Sequence, residues 1–252
     1  MARDLRAGPG SMRGLRWLAR VGPAPLDAWR CAMGWSEVAA RSHARRLERE
    51  GWLERYPMTR GEGSLFAVTR TGVAMAGVAV RAAGPPAPTW WAHLSGCAWA
   101  AAWMTARGRE IQGCREVIAD PAWSGIVRWR DHKGTHRARH RPDLAWLPDG
   151  RRVAIEVELA QKSAERLKAI LELHAGWRAA RATSGVIYIC GDADGAERIR
   201  RTAERIGLTT HGGGLRIELL AMIKAQALAA CESQRAQRAG HEALAYAESG
   251  GA

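Results

Sequence analysis

The run Arg81-Ala-Ala-Gly-Pro-Pro-Ala-Pro-Thr89 limits what this chain can fold into more than any other stretch. Proline has no backbone N–H and its ring clashes with the preceding helical turn, so neither a helix nor a central strand passes through it. The chain therefore divides into a unit over 1–82, a linker over 83–89, a second unit over 90–220, and an Ala- and Gln-rich tail over 221–252 that reads as a helix fraying at its end. With 252 residues in all, each unit is long enough to bury a core. No internal repeat with a period of 20–50 residues is visible.

Charge follows the same division. Residues 1–82 carry 14 Lys/Arg against 7 Asp/Glu, residues 83–141 carry 9 against 4, and residues 142–252 carry 15 against 14. Nearly all of the net +13 thus lies in the first 141 residues. A one-sided basic field attracts polyanions, with double-stranded DNA the leading partner. A basic helix with a continuous apolar face, as a membrane surface needs, is not found, and no apolar run is long enough to span a bilayer. The start of the chain lacks the apolar stretch of a secretory signal, so the expected location is cytoplasmic, with no membrane partner. Five scattered cysteines, none spaced C-x-x-C, read as reduced and mostly buried thiols.

Within 1–82 the pattern predicts three helices, a hairpin and a further helix. The first helix is expected over Met12–Val21 and the second over Pro25–Met33. Ser36 caps a third helix that runs to about Glu50 and stops at Gly51. On it Ala40, Ala44 and Leu47 face inward, while Arg41, Arg45 and Arg49 recur on the opposite side with Ser42 and Arg46 beside them. Trp52–Tyr56 and Leu65–Thr69 read as the strands of a hairpin with Arg60 at its tip. Three helices followed by a hairpin is a winged helix-turn-helix arrangement. Its third helix would enter a major groove, with Arg60 on the adjacent phosphates. Glu37, Glu48 and Glu50 on the same helix weigh against close phosphate contact.

After the linker the expected order is α-β-β-β-α-β. It comprises a helix over Trp90–Arg107, strands over Glu110–Ile118, Ile126–Arg130, Asp143–Leu147 and Arg152–Leu159, a helix from Ser163 to about Arg178, and a buried strand Gly185–Cys190. A helix over Ala193–Ile206 and a strand Leu215–Leu220 follow. The chemistry concentrates in His140-Arg-Pro-Asp143, Val153-Ala-Ile-Glu156-Val-Glu158-Leu159 and Lys162. Strand alternation sends Val153, Ile155, Val157 and Leu159 into the core and Glu156 and Glu158 together to the other face. A turn at Pro148–Gly150 folds Asp143 back beside Glu156. Carboxylates converging this way repel unless a cation lies between them, and Mg²⁺ (or Mn²⁺) takes such oxygens. Lys162, at the junction of strand and helix, can reach back to stabilise a pentacovalent phosphate or orient a water. This is a layout for metal-dependent phosphodiester cleavage.

These residues resemble the PD-(D/E)xK nuclease superfamily, whose fold is restriction-endonuclease-like. Pro142-Asp143, Glu156-Val157-Glu158 and the order of elements from Trp90 to Cys190 carry the likeness. Glu158 stands where that pattern has Lys, and Lys162 is the substitute. The resemblance implies a third acid upstream, taken as Glu116 in preference to Glu110. Over Leu15–Ile206 the chain also resembles the replication-relaxation family of actinobacterial plasmids and integrative elements. That likeness rests on Arg45-Arg-Leu-Glu-Arg-Glu-Gly-Trp-Leu-Glu-Arg55, Thr69-Arg-Thr-Gly72, His93, Pro142-Asp143 and Val153–Lys162 followed by Arg166-Leu167. It implies DNA binding in plasmid replication or mobilisation, with a homodimer or replication and conjugation proteins as further partners.

The expected fold class is α/β (α+β): a winged helix-turn-helix, then a restriction-endonuclease-like αβββαβ domain. The expected function is a Mg²⁺-dependent DNA endonuclease or nickase with Asp143, Glu156, Glu158 and Lys162 catalytic and Asp143, Glu156 and Glu116 on the metal. The alternative is a non-catalytic DNA-binding accessory or transcriptional regulator that retains the fold. His132, His136 and His140 have the i, i+4, i+8 spacing of zinc ligands on a helix, but Gly134 breaks that helix and the neighbouring cations repel an ion; the segment reads instead as a basic loop. Trp99 and Trp103 read as sheet packing, Gly191–Gly195 as a strand-to-helix turn, and Gly212–Gly214 lacks the residues of a nucleotide-binding loop.

Overall fold

The computed structural model describes residues 7–58, 63–82, 84–209 and 214–249. Its first part holds α1 (Pro9–Val21), β1 (Ala24–Pro25), α2 (Leu26–Met33), α3 (Glu37–Arg49), β2 (Leu53–Pro57), β3 (Ser64–Val68) and α4 (Arg70–Ala76). Ser36 caps α3 as expected, its hydroxyl accepting from the Ala39 N–H at 3.1 Å. Ala40, Ala44 and Leu47 are buried, and Arg41, Arg45 and Arg49 are exposed. Strands β2 and β3 pair antiparallel, and β1 adds a third strand on the other edge of β3.

The second part holds α5 (Trp91–Thr105), β4 (Ile111–Gln112), α6 (Cys114–Ala119), β5 (Gly125–Asp131), β6 (Gly134–His140), β7 (Leu144–Trp146) and β8 (Val153–Glu158). It continues with α7 (Ala164–Ala179), β9 (Gly185–Cys190), α8 (Ala193–Glu204), β10 (Leu215–Leu219) and α9 (Leu220–Ser249). The chain is mixed α+β. Its main sheet has the order β10-β9-β8-β7-β4, with β8, β9 and β10 parallel and β7 antiparallel to both neighbours. The turn between β7 and β8 falls at Pro148–Gly150, as expected. Asp149 (φ 48°) and Gly150 (φ 75°) take the left-handed region there, which Asp tolerates and Gly adopts freely.

Three expectations change. Glu110–Ile118 is not one strand: only Ile111–Gln112 pairs, and Cys114–Ala119 is helical. The reason is a cap, since the Glu116 carboxylate accepts from the Gly113 N–H at 2.8 Å. Gly113 is also packed so closely on α1 that a Cβ would lie 2.3 Å from the Arg20 carbonyl oxygen. The segment read as a basic loop is largely strand β6, paired with β5 in a separate two-stranded ribbon. The acid-bearing face of β8 is not open either. Glu156 is 4% exposed and Glu158 5%, because the crossover helix α7 covers the face that the parallel pair β8–β9 would otherwise present.

The tail is a helix, as expected, and it is packed on the rest of the chain. Ile223, Ala227 and Cys231 of α9 recur four apart and are fully buried against α5 and α2. A single apolar cluster thus runs from α1–α4 through α5 to α9 and one face of the main sheet. A second cluster lies between the opposite sheet face and α7 and α8.

Candidate functional site

The site is built at one end of β7 and β8. The antiparallel register pairs Leu144 with Ile155, and the Asp143 N–H donates to the Ile155 carbonyl at 3.0 Å, so Asp143 comes level with Glu156. The Asp143 carboxylate accepts from the Val157 N–H through Oδ2 (2.8 Å) and meets His93 Nε2 through Oδ1 (3.0 Å). His93 comes from α5, which approaches β8 closely because residue 96 is glycine. A Cβ there would lie 2.9 Å from Val157 Cγ1. Cys97, one turn along α5, sets its Sγ 3.6 Å from His93 Nε2.

Glu156 has its own partners. Its Oε1 meets His140 Nε2 at 2.8 Å and His174 Nε2 at 2.9 Å. One histidine ends β6 and the other projects from the middle of α7. Glu158, the last residue of β8, is paired with Lys162 in the loop before α7, while its Oε1 is buried without a partner among the described residues. The Tyr188 hydroxyl, also buried and unpartnered, lies in the field of all three carboxylates. Exposure is graded across the site: His93 is 29% exposed, Lys162 25% and Asp143 22% at the side chain, against 5% for Glu156. Solvent reaches the Asp143–His93–Lys162 edge, with Glu156 behind it.

Two separate three-donor groups result, His93–Cys97–Asp143 and His140–Glu156–His174. They are electrostatically joined. Asp143 and Glu156 both favour the charged forms of His93 and His140, and Lys162 opposes both. The hydrogen bond to Asp143 raises the His93 pKa despite burial. Burial pushes His140 down, but the charge and hydrogen bond of Glu156 outweigh it and the net shift is upward. Burial likewise pushes Glu156 up, and the two histidines overcome it, holding the carboxyl well below the usual range.

A pH dependence follows for the metal-free protein. Raised histidines stabilise fully below their unfolded pKa of about 6.5 and lose that contribution as pH rises through the folded values. The lowered Glu156 stabilises above about pH 4.3 and loses its contribution as pH falls through its folded value. In EDTA the melting midpoint is therefore expected to fall between pH 6 and pH 8, and the fall should be smaller in His140→Gln. Equal slopes in the two proteins would remove the pairing from the account.

Other expected site residues lie elsewhere. Glu116 holds the Arg20 guanidinium of α1 at 2.8 Å as well as its own cap, so both its oxygens serve the packing of α6 on α1 rather than an ion. His136 pairs with Asp131 at 2.8 Å and His140 with Glu156, so the histidines of 132–140 do not gather. On α3, Arg41 is tied to Glu37 at 3.0 Å, one turn back. Arg45, Arg46 and Arg49 are exposed with no acid partner among the described residues, and Ser42 is exposed beside them. Arg60 lies outside the described residues. The sequence places His174 at helical spacing with Leu167, Ile170 and Leu171 and gives it no role at the site. The available signal was a lone polar side chain among Leu167, Ile170 and Leu171.

No protein-family model matches the chain, and no curated protein matches it. Among solved structures, the chain is similar to the crystal structure of protein VC1899 from Vibrio cholerae, with a TM-score of 0.32 and 9% sequence identity. The similarity covers 90% of this chain and 57% of that one.

Proposed function

We propose that this is a DNA-binding protein of the kind found on mobile elements, in which a winged helix-turn-helix docks duplex DNA and a restriction-endonuclease-like half cleaves a phosphodiester. The observation that carries the reading is the register that sets Asp143 level with Glu156 while Lys162 folds back onto Glu158. The donor set fits a divalent ion, because Asp143 and Glu156 come level on neighbouring strands, each beside an imidazole, and the buried Glu158 Oε1 is left without a hydrogen-bond donor among the described residues. Asp143 and Glu156 would hold the ion. Imidazoles beside both carboxylates tilt the preference from Mg²⁺, which wants oxygen, toward Mn²⁺. A bound ion supplies an activated water and offsets charge building on the phosphate. Lys162 adds a positive charge at the open edge of the site. His93 Nε2 holds a proton against Asp143 Oδ1 and can release it to a departing oxygen.

The test is supercoiled plasmid carrying the cognate origin, incubated with Mn²⁺, Mg²⁺ or EDTA. Cleavage that is fastest in Mn²⁺ and lost in EDTA supports the reading. A second reading, DNA docking without cleavage, is favoured by the burial of Glu156 and its closed pairing with two histidines. Plasmid that is shifted but uncut in every metal would establish that reading in place of the first.

The docking face makes its own prediction. Arg45→Ala/Arg49→Ala is expected to weaken duplex binding and reduce the slope of log K against log salt by about one per lost phosphate contact. Arg41→Ala should do less, because Glu37 already holds that guanidinium. Anisotropy titrations at several salt concentrations measure both, and equal effects would show that the Glu37 pair opens on binding.

A further inference from the structure

The ribbon β5–β6 stands apart from the main sheet, and one of its faces carries a run of charge with no acid partner among the described residues. The register places Arg128 directly opposite Arg137, Ile126 opposite Arg139 and Arg130 opposite Thr135. These six residues are all exposed and share one face. That face carries four guanidinium groups, no acid, and no ion pair among the described residues. The other face is the anchor: Val127, Trp129 and Ala138 pack on Ala169, Ile170 and Leu173 of α7. Asp131, at the turn, is already engaged by His136.

Like charges directly opposite each other on a ribbon are destabilising when nothing lies between them. A sequence that keeps Arg128 against Arg137, with Arg130 and Arg139 alongside, therefore points to a ligand that supplies repeated negative charge. Residues on one strand face recur every ~7 Å, and the strands lie about 4.8 Å apart. A two-stranded ribbon of that width enters a B-DNA major groove, about 12 Å wide, and lays its arginines along the phosphates. The ribbon also leads to the site, since β6 ends at His140, whose Nε2 rests on Glu156 Oε1.

We propose that the β5–β6 ribbon is a second duplex-DNA contact, separate from α3, which holds the strand leading into the Asp143–Glu156 site. The proposal rests on the reading of duplex DNA as partner, and not on cleavage. The test is fluorescence anisotropy of a labelled duplex in EDTA, over a series of salt concentrations, with wild type, Arg128→Gln/Arg137→Gln and Arg45→Ala/Arg49→Ala. The ribbon variant is expected to bind roughly tenfold or more weakly near physiological salt, with the salt slope reduced by about two, or ~0.9 per contact. Its melting midpoint should equal or exceed that of wild type, because a repulsive pair has been removed.

Unchanged affinity and slope in the ribbon variant, with binding lost in the α3 variant, would overturn the ribbon proposal while leaving DNA as partner. No duplex binding by wild type overturns both readings. Loss of binding to anionic phosphatidylserine vesicles with duplex binding intact assigns the ribbon to a membrane surface and overturns the proposal as well.

Discussion

Asp143→Asn is expected to lower the metal-dependent cleavage rate by roughly a hundredfold or more, while duplex affinity in EDTA stays at the wild-type value. The substitution is nearly isosteric, and the asparagine can keep both contacts of the aspartate. Its carbonyl can accept from the Val157 N–H, and its amide can donate to His93 Nε2. The fold therefore loses little. What disappears is a negative charge at the open edge of the site, where a divalent ion would meet the incoming phosphate. Lys162→Met is a less clean probe, because it strips the cation from Glu158 and leaves that carboxylate buried and unpaired. At alkaline pH, where a charged His93 no longer adds stability, Asp143→Asn should separate chemistry from stability, with rate falling and melting midpoint holding. A variant that cleaves at the wild-type rate would place the ion elsewhere, and the His140–Glu156–His174 group would then be the next place to look.

How much of this was legible in the sequence depends on where each partner comes from. The α3 cap and the turn at Pro148–Gly150 involve residues within a few positions of one another, and local spacing shows them. Burial of the β8 acids does not. Alternation of Val153, Ile155 and Val157 with Glu156 and Glu158 reads as a half-exposed strand. The Glu156 charge is tolerated inside because His140 and His174 arrive on it from 16 and 18 residues away, beyond the reach of a period-two argument. Strand β6 escaped for another reason. Thr135-His-Arg-Ala-Arg-His140 does alternate, but polar and charged residues on both faces hide the inner row that packs on α7. The α6 turn was signalled by Gly113 and Glu116, a glycine followed three residues later by an acid, yet it was taken as strand because Ile111 and Val117 frame it.

The proline run misled in a different sense. It ends the secondary structure where expected, but it does not divide the core, and this sets the expected response to core damage. Trp29→Ala should cost roughly 3–5 kcal/mol. Trp29 is fully buried on α2, its Nε1 donates to the Gly14 carbonyl at 3.1 Å, and its ring meets Trp35 and Phe66 at 5.4 and 6.2 Å. For a chain of this size a loss of that order lowers the melting midpoint by about 6–20 °C. Because α2 packs on both α5 and α9, far-UV and near-UV circular dichroism should report one transition. Trp103→Ala should lower that same transition: Trp103 lies on the far side of the proline run, in α5, and its Nε1 donates to Gln226 of α9 at 2.8 Å. Two transitions, with only one lowered by Trp29→Ala, would mean that the halves are independent bodies. A single transition has a consequence for function, because a shared core holds α3 at one spacing from Asp143. Strand cleavage would then fall at a constant offset from the bound site, and lengthening the proline run by a few residues would leave that offset unchanged.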